Sequence, residues 1–134
     1  MTKSELAVHK HSQGYNCAQS VVCAFADELG IDEATLYKLV EGFGAGMGTG
    51  KGICGALAGA AIVAGFKNSK GDINNAGTTK GSTYKLVGDL QNQFCDKVGC
   101  IYCKDIKAGV NADHATPCSE CIAIATELLN ETSF

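Results

Sequence analysis

The sequence predicts an all-α fold: a single-domain bundle of five or six helices with a glycine-rich loop ahead of its central helix. Three observations predict it. Apolar residues recur at three- and four-residue spacing along most of the chain, the signature of amphipathic helices. No stretch alternates apolar and polar residues as a half-buried strand would. There is only one proline, Pro117. A length of 134 residues fits one domain, taken as 1–134, with enough chain to bury a core.

The elements follow in order. Ser4 and Glu5 open a first helix to about Gln13, stopped by Gly14. Asn16 caps a second, Cys17 to Leu29, with Val21, Val22, Phe25 and Leu29 at helical spacing and Gly30 just past its end. Asp32 caps a third, Glu33 to Gly42, whose Leu36, Leu39, Val40 and Phe43 share a face. Glycines 44, 46, 48, 50 and 52 then alternate with other residues, a pattern too costly in backbone entropy for a helix or strand. Cys54 to Phe66 is apolar all round and reads as the buried central helix. Gly55 and Gly59, four apart, give it a small-residue face for close approach by a neighbour. Residues 67–79 are polar loop. A long amphipathic helix runs from about Thr79 to Val98 through Tyr84, Val87, Leu90 and Phe94, and Gly99 stops it. After a compact cysteine-bearing segment and a loop at 107–115, Thr116 caps a final helix. Pro117 takes its first position, and it runs to about Asn130.

Composition narrows the function. A net charge of −3 with no Lys/Arg stripe argues against a nucleic-acid partner. The start, MTKSELAVHKHSQ, has no secretory h-region. The longest apolar run, Ile53 to Phe66, is shorter than the ~20 residues of a membrane span. A cytoplasmic protein is expected. Eight cysteines are then far more than packing requires, and without a secretory context they point to thiol redox chemistry or metal binding. Among them, Cys23, amid Val and Phe, also suits a plain core role.

Cys17, Cys54 and Cys118 each sit at a predicted helix start. There the unpaired amides and the helix dipole favour an anion, so a thiolate is stabilised. Three such cysteines predict several helix starts converging on one centre. Two CxxC pairs, Cys100–Cys103 and Cys118–Cys121, place further sulfurs within reach of a partner or a metal. Nucleotide binding is disfavoured. The G-x-G-x-x-G at Gly50, Gly52 and Gly55 follows no strand, and the Walker pattern fails at Ala45 and Gly52. His9 and His11 read as exposed on a polar helix. His114, four residues before Cys118, is the histidine placed to act as a base or ligand, and Glu120 the carboxylate placed to raise a thiol's pKa.

GYNCAQSV at 14–21 and FGAGMGTGKGICGALAGA around Cys54 resemble the C_GCAxxG_C_C family of small proteins, described as redox-active because of their cysteines. Its Cys-Gly-Ala-x-x-Gly motif corresponds to Cys54 through Gly59, and the resemblance covers about residues 5–130. It implies that the four family cysteines are Cys17, Cys54, Cys103 and Cys118. The third follows from GCIYCKDI and the fourth from PCSECIAIATELLNE. Cys23, Cys95, Cys100 and Cys121 are additional to the pattern, and they create both CxxC pairs.

The expected function is a redox-active cysteine protein. Cys17, Cys54, Cys103 and Cys118 would converge on one thiol centre for dithiol/disulfide or electron-transfer chemistry, with Cys54 the nucleophile, Cys100 and Cys121 as CxxC partners, and backbone at Gly52 and Gly55 close to the centre. The alternative is a metal or iron–sulfur protein in which the same four cysteines bind a cluster or zinc. A redox partner is expected in either case. The sequence names neither that partner, nor a substrate, nor an oligomeric state, nor whether catalysis occurs.

Overall fold

Three helices of this chain begin where a side chain accepts from their unpaired amides. Thr2 forms a capping box with Glu5 at the start of α1 (Lys3–Ser12), and Asn16 forms one with Gln19 at the start of α2 (Cys17–Ala24). Asp32 accepts from the Thr35 amide to open α4 (Glu33–Val40). Between these lies the short α3 (Ala26–Leu29), closed by Gly30 in the left-handed conformation. The computed structural model covers residues 1–134 and contains eight helices and no strand. The remaining four are α5 (Gly55–Asn68), α6 (Lys80–Val98), α7 (Cys103–Lys107) and α8 (Cys118–Glu131). Single 3-10 turns stand at Glu41–Phe43 and Ile73–Asn75.

α5 packs against α2, α6 and α8, while α1 lies across α2 and α8. Val21, Val22, Phe25, Leu36, Val63, Phe94 and Ile122 are buried in the shared core. Each such side chain contributes about 1.5–3 kcal/mol of transfer free energy. The α2–α5 approach is close because Gly59 faces α2. A Cβ there would lie 3.1 Å from the Ala18 carbonyl oxygen and 3.2 Å from the Val21 Cβ.

Eight helices exceed the five or six expected, for two physical reasons. The helix predicted from Cys17 to Leu29 breaks at Phe25, whose φ of −101° and ψ of 11° leave the helical basin. The Glu28 amide turns to the Asp27 carboxylate instead of continuing the ladder. The Ala24 carbonyl accepts from the Lys3 ammonium at 3.0 Å, and Lys3 and Lys67 both lie over the buried Phe25 ring. The second addition is α7, which opens at Cys103 inside the segment expected to be irregular. Boundaries also shift by a residue: Cys54 is the N-cap of α5, and Pro117, not Thr116, is the N-cap of α8. Leu39 and Tyr84, expected on apolar faces, are largely exposed.

Candidate functional site

The segment between α4 and α5 is a main-chain clamp. After the 3-10 turn the backbone coils the other way over Gly44–Met47. Ala45 (φ 53°, ψ 40°) and Gly46 (φ 59°, ψ 57°) are left-handed, and Met47 also has positive φ, at 60°. This left-handed turn is closed by Gly48 N–H donating to the Gly44 carbonyl at 2.9 Å, with Gly50 and Gly52 donating to Ala45 and Gly46. Two non-glycine residues in this conformation store about 1–2 kcal/mol each, and such strain gathers at functional sites. The return segment then pairs with the stretch leading into α7. Ile53 and Tyr102 form an antiparallel bridge. Cys54 N–H donates to the Ile101 carbonyl at 2.7 Å, Cys103 N–H to Gly52 at 2.9 Å, and Lys104 N–H to Gly50 at 2.8 Å. Two cysteine-bearing helix starts are thereby fixed side by side.

Several glycines here stand where a Cβ would crowd a neighbour, Gly44 against Asn16 and Gly52 against Met47 among them. A Cβ on Gly46 would sit 2.6 Å from the Cys103 Cβ, and one on Gly55 would sit 3.2 Å from the Cys17 Cβ and 3.1 Å from the Phe43 carbonyl oxygen. Gly52 uses both its amide and its carbonyl inside the clamp, whereas Gly55 lines the space beside it.

That space is a cavity of ≈ 170 Å³ lined by five cysteines, Cys17, Cys54, Cys103, Cys118 and Cys121. His11, Asn16, Ala45, Ile106, Lys107 and Thr116 complete the wall with Gly55. Cys17, Cys103 and Cys118 are the first residues of α2, α7 and α8, and Cys54 caps α5. Four helix starts therefore face one cavity. All eight cysteines are free thiols.

The thiols are not equivalent. Cys54 is brought down to about 7, first because Cys121 donates a hydrogen bond to it, with further help from the Leu57 and Ala56 amides and the Lys107 charge, against the opposing effect of burial. Cys121 is correspondingly held protonated, by that hydrogen bond and by burial; its sulfur also approaches the Thr116 carbonyl oxygen at 4.0 Å. Cys17 is pushed up to about 12 by burial and by the neighbouring thiols Cys118 and Cys54, and it shares a hydrogen bond with Cys118. Burial raises Cys103 as well, offset in part by Lys107. The dipole at a helix start is thus not sufficient to ionise a thiol. Cys17 and Cys103 have that setting and remain protonated, because burial among other sulfurs outweighs it.

The other candidates lie elsewhere. Cys100 is outside this cavity; its sulfur faces the Val110 carbonyl oxygen at 3.6 Å, and it shares a separate depression with Cys95. Cys23 is buried against the Glu33 carbonyl, and burial pushes it up to about 11. His114 and Glu120 are exposed and do not line the cavity. Two polar residues of the lining had no role in the sequence reading, and one of them, His11, was expected to be exposed but is half-buried at the cavity. Lys107 stands four residues after Cys103, the spacing that brings side chains together on a helix, so its position was a usable signal. His11, in the last turn of α1, reaches the cavity only through the docking of α1 and carries no local signal.

The family model described as "Putative redox-active protein (C_GCAxxG_C_C)" matches residues 15–132. The chain belongs to this family. No curated protein and no solved structure matches it. In this C_GCAxxG_C_C protein, the motif Cys54 to Gly59 caps α5 and supplies both glycines that let α2 approach. No group of three or more His, Cys, Asp or Glu residues is arranged to hold a metal ion. The cavity thiols act on one another as one cluster: Cys118, Cys54 and Cys103 on Cys17, and Cys54, Cys118 and Cys17 on Cys121. No helix of the C_GCAxxG_C_C chain is long and apolar enough to cross a membrane.

Proposed function

We propose that the protein, a single helical domain over residues 1–134, is a cytoplasmic dithiol/disulfide redox protein. Its centre comprises Cys17, Cys54, Cys103 and Cys118 together with Cys121. The observation that carries this reading is the gathering of Cys54 and Cys121 with three further thiols around one cavity, where Cys121 helps to bring Cys54 down to about 7. A thiol near neutral pKa is the best attacking group at neutral pH. A protonated neighbour one hydrogen bond away is placed to resolve the product.

The chemistry balances with a disulfide-bearing partner, a small-molecule or protein disulfide. The Cys54 thiolate attacks one sulfur of the partner. The partner's S–S bond breaks, a mixed disulfide forms, and one partner thiolate leaves. Cys121 gives its proton to that thiolate and attacks the Cys54 sulfur. The Cys54–Cys121 disulfide forms and the second partner thiolate departs, taking a proton from water. Two electrons pass from the protein to the partner, and the reverse sequence oxidises a partner dithiol. Cys17 and Cys118, hydrogen-bonded to each other, are a second pair in the same cavity and accept the disulfide by intramolecular exchange. Backbone at Gly55 allows Cys17 and Cys54 to approach, while Lys107 supports thiolate formation.

The test is thiol counting on freshly purified protein before and after mild reduction and reoxidation, with peptide mapping of any disulfide. A change of two or four thiols located on cavity cysteines supports the reading. No change sinks it. Iron and sulfide retained through anaerobic purification, with visible absorbance, would instead favour the metal-centre alternative on the four family cysteines.

A further inference from the structure

Cys95 and Cys100 take no part in the cavity, yet the way α6 ends brings them together. Gly99 stops the helix with φ 105°, and its amide donates to the Cys95 carbonyl at 2.7 Å. In this glycine stop the residue after the glycine folds back over the residue whose carbonyl is bonded. Here those two residues are Cys100 and Cys95. They line one depression of ≈ 330 Å³. Gly99 has no substitute there, because a Cβ would fall 2.8 Å from the Val110 and Asn111 carbonyl oxygens, and the Asn111 amide side chain clasps the Gly99 carbonyl from the opposite strand of the loop. The juxtaposition is built by backbone and not by chance rotamers. Cys95 is half-buried and so reachable, while Cys100 lies buried behind it.

We propose that Cys95 and Cys100 form a second dithiol site, separate from the cavity, that exchanges with small-molecule disulfides at the protein surface. The pairing differs from the CxxC spacing, which would join Cys100 to Cys103. Cys103 is committed to the cavity wall on the far side of the Ile53–Tyr102 bridge. In the reaction the Cys95 thiolate attacks a sulfur of the small disulfide, giving a mixed disulfide at Cys95 and releasing one thiol. Cys100 then leaves its weak contact with the Val110 carbonyl, loses its proton to solvent and displaces the second thiol. The Cys95–Cys100 disulfide and two molecules of small thiol result. Burial and the Asp105 and Cys95 charges keep the Cys100 thiol protonated. The reachable Cys95 is therefore the attacking thiol and the buried Cys100 the resolving one.

The full chain is treated with oxidised glutathione, blocked and digested with trypsin without reduction. Cleavage after Lys97 puts Cys95 and Cys100 on different peptides, so their disulfide appears as a linked pair whose fragmentation separates Cys100 from Cys103. The linked pair is expected in the wild type and equally in Cys54→Ser, since the site does not depend on the cavity. In Cys100→Ser, a glutathione adduct is expected to accumulate on Cys95, and Cys95→Ser should carry none at Cys100. A Cys100–Cys103 link, a link from either cysteine to Cys54, or a Cys95 that stays free in the wild type would overturn the proposal. Loss of the pair in Cys54→Ser alone would also overturn its independence. Because the wild-type digest decides the pairing, a variant that fails to fold does not rescue the idea.

Discussion

Cys54, which caps α5, and Cys121, in the first turn of α8, line one cavity, and Cys121 lowers the pKa of Cys54. That neighbourhood, with the Leu57 and Ala56 amides and Lys107 acting on Cys54 and burial acting on Cys121, separates the two thiols in acidity. It turns a cluster of similar side chains into one with an attacking member and a resolving member.

The first prediction concerns that pair. Alkylation of Cys54 by iodoacetamide, followed peptide by peptide against pH, should show a midpoint near 7. Cys121→Ala removes the donor. A hydrogen bond to a charged group is worth about 1.5–3 kcal/mol, so the midpoint should rise by roughly 1–2 pH units. An unchanged midpoint would mean that Cys121 does not set the acidity of Cys54.

Lys107 acts on the same thiol from an exposed position. Lys107→Gln should raise the Cys54 midpoint by less than Cys121→Ala does, and the difference from wild type should shrink as salt is added, because an exposed charge is screened. A salt-independent shift would point to a packing change instead of a charge effect.

Cys17 makes the fold sensitive to alkali. Its thiol is held up to about 12 against an ordinary value of 9.0. Below pH 9 both folded and unfolded states keep the proton and nothing is lost. Above it the unfolded thiol ionises while the folded one does not, so stability falls as pH rises from about 9 toward 12. Cys54, with its lowered value, has the opposite sign. Its contribution is present above 9 and disappears as pH falls through about 7. Urea midpoints measured from pH 9 to 10.5 should decline, and Cys17→Ala should make that decline shallower without abolishing it, because Cys121, Cys103 and Cys23 are raised as well; an equally steep slope in the variant would refute the assignment to Cys17.

Two glycines of the clamp separate crowding from backbone strain. Gly48 has φ 79° with open space where a Cβ would stand, while Gly46 has φ 59° and the Cys103 Cβ only 2.6 Å from that point. Gly48→Ala should cost about 1–2 kcal/mol, the strain of a left-handed alanine. Gly46→Ala adds overpacking of about 1–3 kcal/mol and should also alter Cys103 alkylation. Equal urea midpoints for the two variants would count against the close approach of the clamp to α7.

Local signals made much of this structure legible. Asn16, Asp32, Gly30 and Gly99 mark helix ends through contacts within a few residues, and the structure uses each of them. The small face at Gly55 and Gly59 likewise announced a close neighbour. What the sequence withheld depends on distant partners. The break at Phe25 needs Lys3 and Lys67, which come from other helices. The Cys54–Cys121 contact needs α5 and α8 in place, and the separation of Cys100 from Cys103 needs the bridge at Tyr102. CxxC spacing brought one pair, Cys118 and Cys121, to the same cavity and left the other divided. Helix starts predicted where thiols gather but not which of them ionise, because desolvation among neighbouring sulfurs is a property of the assembled core.

The bonds that join the α5 start to the α7 start run between main-chain atoms. Position and reactivity are therefore carried by different parts of the molecule: amides and carbonyls hold residues 54 and 103 in register, and the side chains there contribute only their chemistry. Serine at either position keeps every main-chain donor and acceptor of the frame. The frame is in this sense a socket into which other nucleophiles, including selenocysteine, can be fitted and compared at one fixed geometry.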